Sequence, residues 1–226
     1  AAGNLKKVSL ELGGKSPTIV FPDADVDAAI AGAASAIFFN HGQCCCAGSR
    51  LLAHEKIFDQ VTEGIAKIAS NIKVGPGMDT TSEMGPLVSN EQYEKVSSYI
   101  EAGKSEGGEI VAGGKYDNSS GGHFVHPTVF AKTNTDMSIV KEEIFGPVLC
   151  AQPFSDQDLD KIANAANNTS FGLAASVWSK DISTAHKLAS KIRAGTVWVN
   201  CHNIFDASLP FGGYKESGWG REMGHE

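Results

Sequence analysis

The sequence predicts an α/β protein with a doubly wound, mostly parallel sheet flanked by helices. Segments with strand patterns alternate along the chain with helix patterns of about 10 to 15 residues, which is the order that builds parallel sheets. Hydrophobic residues make up 42% of the 226 residues and charged residues 20%, as in ordinary globular proteins with a large core. No internal repeat, low-complexity tract or long linker divides the chain.

The first elements follow from apolar spacing. A strand is predicted at residues 8–12, with Glu11 on the opposite face from its apolar neighbours, and a buried strand at 17–21. Asp23 or Asp25 caps the next helix, which we expect to end at Asn40-His41-Gly42.

The same alternation continues to the end of the chain. Ser89 and Gln92 form a capping-box pattern at the start of one helix. The further predicted strands are residues 49–54, 148–154, 173–178 and 196–200; the helices are expected around 58–72, 89–100, 159–166 and 185–192; residues 113–127 are expected to form an exposed hairpin.

Charge and composition exclude several kinds of partner. The net charge is −7 without basic clusters, which argues against a nucleic acid or an anionic membrane. The longest apolar stretch, residues 28–39, is too short to span a bilayer, and no signal peptide is visible. The chain starts without methionine in a strand pattern, so we expect it to be part of a longer protein.

Three consecutive cysteines stand in "FFNHGQCCCAGSR", just after a predicted helix end. A disulfide between neighbours is strained, and consecutive side chains do not suit zinc. Two interpretations of the three cysteines remain: all are small buried side chains, or one is a reactive thiol. The flanking Gly42 and Gly48 and the polar residues of the turn favour a reactive Cys45. Reduced cysteines indicate the cytoplasm, or the mitochondrial matrix in a eukaryote.

Loops at the carboxyl ends of parallel strands usually hold the ligands of such sheets. On that rule we expect the chemistry in the turns after Glu11, after Asn200 and around Cys44–Cys46.

Four motifs give a specific resemblance. "LELGGKSP", "FFNHGQCCCAGSR", "KEEIFGPV" and "PFGGYKESGWGRE" together resemble the NAD(P)-dependent aldehyde dehydrogenase superfamily, in the order and near the separations of that family. The resemblance covers nearly the whole chain. It implies that residues 1–226 are a catalytic domain, without most of the N-terminal cofactor-binding domain and without the C-terminal oligomerisation strand.

The resemblance also assigns roles by position. Cys45 matches the nucleophile, and Glu11, 34 residues earlier, matches the general base. The cofactor-binding positions are Leu12, Glu143 and Phe145; the substrate-pocket positions are Phe39, Cys44, Cys46, Asn203, Phe205 and Phe211; no metal ligand is implied.

The implied reaction is oxidation of an aldehyde to a carboxylic acid through a thiohemiacetal and a thioester on Cys45. The cofactor is NAD or NADP, with NAD favoured, and the partners are a small aldehyde and further copies in a homodimer or homotetramer. Glu11 argues against members that pass the acyl group to coenzyme A. The alternatives are a cysteine-dependent esterase and a non-catalytic structural protein. The isolated 226 residues are expected to be inactive and to bind NAD weakly.

Overall fold

The computed structural model describes residues 1–119, 121–155 and 158–225, and a seven-stranded sheet lies at its centre. In chain order, the strands are β1 (Leu10–Glu11), β2 (Pro17–Val20), β3 (Arg50–His54), β4 (Glu109–Ala112), β5 (Tyr116–Asp117), β6 (Phe124–Val125), β7 (Thr128–Ala131), β8 (Val148–Phe154), β9 (Phe171–Gly172), β10 (Ala174–Trp178), β11 (Thr196–Val199), β12 (Tyr214–Lys215) and β13 (Gly218–Trp219).

The order of the main sheet is β11-β10-β2-β3-β8-β7-β4. Every neighbouring pair from β11 to β7 is parallel, and only β4 runs antiparallel, on the outer side of β7. Apolar side chains fill both faces of these strands, as a sheet covered on both sides requires. The predicted mostly parallel α/β fold is confirmed.

Within the described residues, six α-helices connect and cover the strands. Their bounds are α1 (Val26–Phe38), α2 (Phe58–Asn71), α3 (Asn90–Ser105), α4 (Ser138–Lys141), α5 (Leu159–Asn167) and α6 (Ile182–Ala189). Asp25 caps α1 by accepting from Ala28 N at 3.1 Å, and Ser89 caps α3 by accepting from Gln92 N at 3.2 Å. The α1–α2 pair packs on one face of the sheet with Leu51, whereas α5 and α6 pack on the other with Leu52.

The ends of most predicted strands and helices agree with the structure within a few residues, but the first strand differs. Only Leu10–Glu11 is a strand, and it pairs with β13 outside the main sheet. Its apolar side chains are therefore not buried by the fold: Leu10 is 43% exposed and Leu12 48%. The pattern of residues 8–12 is that of a half-buried strand, yet it is the carboxylate oxygens of Glu11 that are buried.

Several short strands were not predicted, namely β9, β12, β13 and the pair β4 and β7, which lie before and after the hairpin at residues 113–127. That hairpin is confirmed as the antiparallel pair β5–β6, with Ser120 outside the described residues. Within the described part of the chain, no helix has the length and apolar character needed to cross a bilayer.

The expectation that the candidate residues lie at the carboxyl ends of the strands is wrong. Glu11, Cys45 and Glu143 come before β2, β3 and β8, at their amino ends. These three strands are adjacent and parallel, so the loops that enter them meet at one edge of the sheet. The chain after β11 starts at the opposite edge and folds back, and His202 thereby reaches the Cys46 carbonyl.

Candidate active site

Two glycines join the three loops that carry the candidate residues. The Gly14 N–H donates to the Glu143 carboxylate Oε1 at 2.8 Å. A methyl group on Gly14 would overlap the carbonyl oxygen of Cys45, and one on Gly13 would lie 3.0 Å from the Glu143 carboxyl carbon. Glycine is therefore required here for close approach, since any side chain would push these segments apart.

Cys45 lies at the corner of a β-turn. The Ala47 N–H donates to the Cys44 carbonyl at 3.0 Å, which places Cys45 and Cys46 at the two central positions. Beyond the turn, the Gly48 N–H donates to the last turn of α1, at Ala36 O, at 3.0 Å. The candidate nucleophile therefore sits on a short turn that is tied to the helix before it.

The three thiols contact one another. The sulfurs of Cys44 and Cys46 are 3.4 Å apart, and all five cysteines are free thiols. Hydrogen bonding with Cys45 and then with Cys46 lowers the pKa of the Cys44 thiol. The bond to Cys44 raises the pKa of Cys45, and burial adds to that rise. Contacts within the cluster therefore shift the pKa values of Cys44 and Cys45 in opposite directions.

Glu11 is a buried and unpartnered base. Both carboxylate oxygens are buried, without a hydrogen-bond partner among the described residues. Burial raises the pKa of Glu11, the nearby Glu222 raises it further, and Arg221 lowers it. The carboxylate is therefore a stronger base than an exposed glutamate. Strand alternation alone would place the Glu11 carboxylate at the surface, whereas the fold buries its oxygens.

Glu143 and Phe145 adjoin the cysteine turn across a small cavity. A cavity of about 10 Å³ is lined by Gly14, Cys44, Glu143 and Phe145, among others. The Phe145 backbone adopts φ +58°, which is uncommon for an aromatic residue. Gln92 of α3 donates its amide to the Phe145 carbonyl at 2.7 Å and supports this conformation. Glu142, the residue before Glu143, instead accepts from the Tyr99 hydroxyl at the surface.

The candidate pocket residues separate into two groups. Phe211 packs with the three cysteines, Asn203 Oδ1 accepts from the Cys46 thiol at 3.2 Å, and the rings of Phe205 and Phe211 meet edge to face at 5.2 Å. Phe39 differs, because it is 61% exposed at the end of α1 and lies outside this apolar cluster. Leu12 is also exposed, and its N–H donates to Ser217 O at 3.0 Å.

Comparisons with known proteins cover the whole chain. The model of the aldehyde dehydrogenase family matches residues 1–226. The chain belongs to the aldehyde dehydrogenase family.

Individual members of the aldehyde dehydrogenase family are close to it in sequence. The chain is 49% identical over 222 residues to phenylacetaldehyde dehydrogenase of Pseudomonas fluorescens, covering 98% of this chain and 44% of that protein. It is 47% identical over 227 residues to betaine aldehyde dehydrogenase of Bacillus subtilis, covering 99% and 46%. The chain therefore spans less than half the length of these curated relatives.

A solved member has the same fold. The NAD⁺ complex of an aldehyde dehydrogenase from Bacillus cereus matches with a TM-score of 0.94 and 52% identity, over 99% of this chain and 45% of that one. Within the described residues, no group of three or more His, Cys, Asp or Glu side chains is placed to hold a metal ion.

Several residues of this candidate site were not found from the sequence. Trp198 and Cys201 pack against the three cysteines, and Cys201 is half-buried rather than a core thiol. His202 bonds the Cys46 carbonyl, and Glu222 acts on the Glu11 pKa. The sequence predicted a strand at residues 196–200 but not the contacts of Trp198, and the other contacts join segments far apart in sequence.

Proposed function

We propose that this chain is the catalytic part of an NAD-dependent aldehyde dehydrogenase that oxidises an aldehyde to a carboxylic acid. The observation that carries the proposal is the convergence at Gly13–Gly14 of the Cys45 turn and Glu143, beside the unpartnered carboxylate of Glu11. The similarity to an NAD⁺-bound aldehyde dehydrogenase supports the choice of cofactor.

Cys45 begins the reaction as a thiolate. The Cys45 thiol first loses its proton to solvent; its hydrogen bond with Cys44 and its burial oppose this ionisation by raising the Cys45 pKa, and its hydrogen bond with Cys46 favours it. The Cys45 sulfur then bonds to the aldehyde carbon, and the carbonyl electron pair moves to oxygen. When bound, NAD⁺ supplies the acceptor for the hydride that leaves this carbon as the oxyanion collapses to a thioester on Cys45.

Glu11 completes the reaction as the general base. It takes a proton from the water that attacks the thioester carbon, and the carbon–sulfur bond breaks to release the acid and the Cys45 thiolate. A buried carboxylate with a raised pKa suits this role, because an exposed glutamate is a weak base at neutral pH. Among the described residues no group bonds the Glu11 oxygens, so both keep lone pairs that can accept from that water.

Glu143 and Phe145 suit the sugar of a dinucleotide. The Gly14 N–H occupies one carboxylate oxygen of Glu143, and the half-buried carboxylate keeps lone pairs that can accept from ribose hydroxyls. Phe145 lies beside it, next to the cavity that also contacts Cys44. Leu12 follows Glu11 on the same loop, and its exposed side chain offers an apolar contact there.

The substrate side is apolar. A cleft of about 610 Å³ is lined by Trp198, Cys201, Phe205, Phe211 and further apolar residues. Phe211 and Cys201 also pack against the three cysteines, so the cleft leads towards the nucleophile. An organic aldehyde with an apolar body fits this lining. Phe39, Cys44, Cys46 and Asn203 are proposed as further parts of the wall.

Assembly and location are also proposed. β11 is the outer strand of the sheet and offers an edge to which a strand of another copy could add, which supports a homodimer or homotetramer. The free thiols suit a reducing compartment such as the cytoplasm or the mitochondrial matrix. These 226 residues alone are proposed to lack tight NAD binding and activity; calorimetry showing micromolar affinity would contradict this.

The test of the function uses the intact gene product with a panel of aldehydes and with NAD or NADP. Cys45→Ala should abolish cofactor reduction. The matched control Cys150→Ala removes a thiol that is buried in another cluster, where it donates to Ile139 O at 3.1 Å, and should keep activity. Full activity in Cys45→Ala would refute the assignment. Cleavage of a nitrophenyl ester without any NAD reduction would instead favour a cysteine-dependent esterase.

A further inference from the structure

The loop that follows β11 is bonded to the turn that carries Cys45. We propose that His202 is a positioning residue for Cys45, because it holds the Cys46 carbonyl and so fixes the turn that carries the nucleophile. The inference rests on the proposed function, which gives Cys45 its role.

The hydrogen bonds of His202 define one neutral tautomer. Its Nε2 lies 2.9 Å from the Cys46 carbonyl oxygen, which can only accept, so Nε2 carries the hydrogen. Its Nδ1 lies 3.0 Å from the Ser176 hydroxyl of β10, which also lies 3.3 Å from the Thr18 hydroxyl, and Nδ1 can accept from Ser176 when the ring is neutral. Burial lowers the pKa of His202, which favours this neutral ring, although the Cys46 bond and the nearby Cys44 act in the opposite direction.

The imidazole is itself held firmly. Its ring packs on Trp198, with the ring centres 4.6 Å apart, and Trp198 Nε1 donates to Ile204 O at 2.8 Å. The return of the chain is set at Asn200, where φ is +54° and the side-chain amide bonds Ser179 N and O at 3.0 and 2.9 Å. His202 therefore ties the cysteine turn to β10 through Ser176 and to β11 through Trp198.

His202 and Asn203 hold the same residue at two points. His202 binds the backbone of Cys46, and Asn203 accepts from its thiol at 3.2 Å. Cys45 lies between this anchored residue and Cys44 in the turn. If the Cys46 carbonyl loses its donor, the turn can shift, and a displacement of about 1 Å at the nucleophile can slow a reaction about a hundredfold. The Gly14–Glu143 bond involves other atoms and should not change.

The experiment compares His202→Leu with His202→Gln in the intact enzyme. Leucine fills similar space without a donor, whereas the glutamine amide can still donate to the Cys46 carbonyl. For His202→Leu we expect kcat/KM for the aldehyde, and the rate at which iodoacetamide alkylates Cys45, to fall about ten- to hundredfold. KM for NAD should stay within about twofold, and His202→Gln should recover most of both losses. Peptide mass spectrometry assigns the labelled cysteine.

Controls separate the inference from folding and from the proposed function. The control His186→Leu changes an exposed histidine of α6 and should match the unmodified enzyme. If His202→Leu does not fold, Ser176→Ala releases Nδ1 instead and should lower the alkylation rate about three- to tenfold. The proposal would be overturned if folded His202→Leu, or Ser176→Ala used in its place, kept the wild-type alkylation rate and kcat/KM. It would also be overturned if His202→Leu and His202→Gln lost both to the same extent. An active Cys45→Ser enzyme would instead refute the proposed function.

Discussion

Replacing Gly14 with alanine tests whether close backbone contact holds the candidate site together. The added methyl group would lie 3.2 Å from the Cys45 carbonyl carbon and 3.4 Å from the Leu173 Cβ, and it would overlap the Cys45 carbonyl oxygen. No flexible side-chain end can move aside there, because the nearest atoms belong to the backbone of the cysteine turn. The loop before β2 and the turn before β3 must therefore separate.

The size of the effect follows from that overlap. Overpacking costs typically about 1–3 kcal/mol, and a clash with backbone belongs near the upper end. For a domain of this size that corresponds to a fall in Tm of about 4–12 °C. A shift of about 1 Å at Cys45 should also lower kcat/KM about a hundredfold.

The assay combines thermal unfolding of the intact protein with steady-state aldehyde oxidation. Gly77→Ala is the matched control, because a methyl group there meets no atom within 4 Å and its backbone conformation is open to alanine. It should leave Tm and kcat/KM unchanged. A Gly14→Ala enzyme with the Tm and kcat/KM of the unmodified protein would refute the reasoning that glycine is required for this contact.

Two further predictions concern ionisable groups. Glu11→Gln should lower kcat about 10²- to 10⁴-fold while leaving the first burst of NADH intact, because only thioester hydrolysis needs the base. Loss of the burst would contradict this. The control is Glu216→Gln, which changes an exposed glutamate. In the unmodified enzyme, the raised Glu11 pKa means that kcat falls with decreasing pH at values above the ordinary 4.5. Lys15 is fully buried, its Nζ has no hydrogen-bond partner among the described residues, and burial lowers its pKa from 10.5 to about 8. Because the unfolded chain binds this proton more tightly, unfolding free energy should rise by roughly 3 kcal/mol between about pH 8 and 10.5. Lys15→Met should lack that rise when the two urea-denaturation curves are compared, and identical pH dependence would contradict the argument.

Local patterns in the sequence were sufficient for most of the elements. The Ser89–Gln92 box starts α3, and the apolar spacing of residues 148–154 locates β8, because capping and side-chain periodicity depend only on neighbours along the chain. β4 was not predicted because it is a short outer strand with a mixed pattern that depends on its pairing with β7.

The candidate site was predicted only in part. The motifs selected Cys45, Glu11 and Glu143, and the structure places their loops together. The motifs did not indicate that the loops meet at the amino ends of β2, β3 and β8. A general rule for open sheets indicated the opposite edge, and the direction in which loops fold over a sheet is a property of the whole chain.

The amino-acid sequence by itself determined the α/β class, the helix caps, the glycines of the first loop and the family to which the chain belongs. Tertiary structure alone decided the burial of the Glu11 carboxylate and the contact of His202 with Cys46. The Cys46–His202 bond joins residues 156 positions apart. Burial and charge depend on which distant groups come within a few ångströms, and no local spacing encodes that.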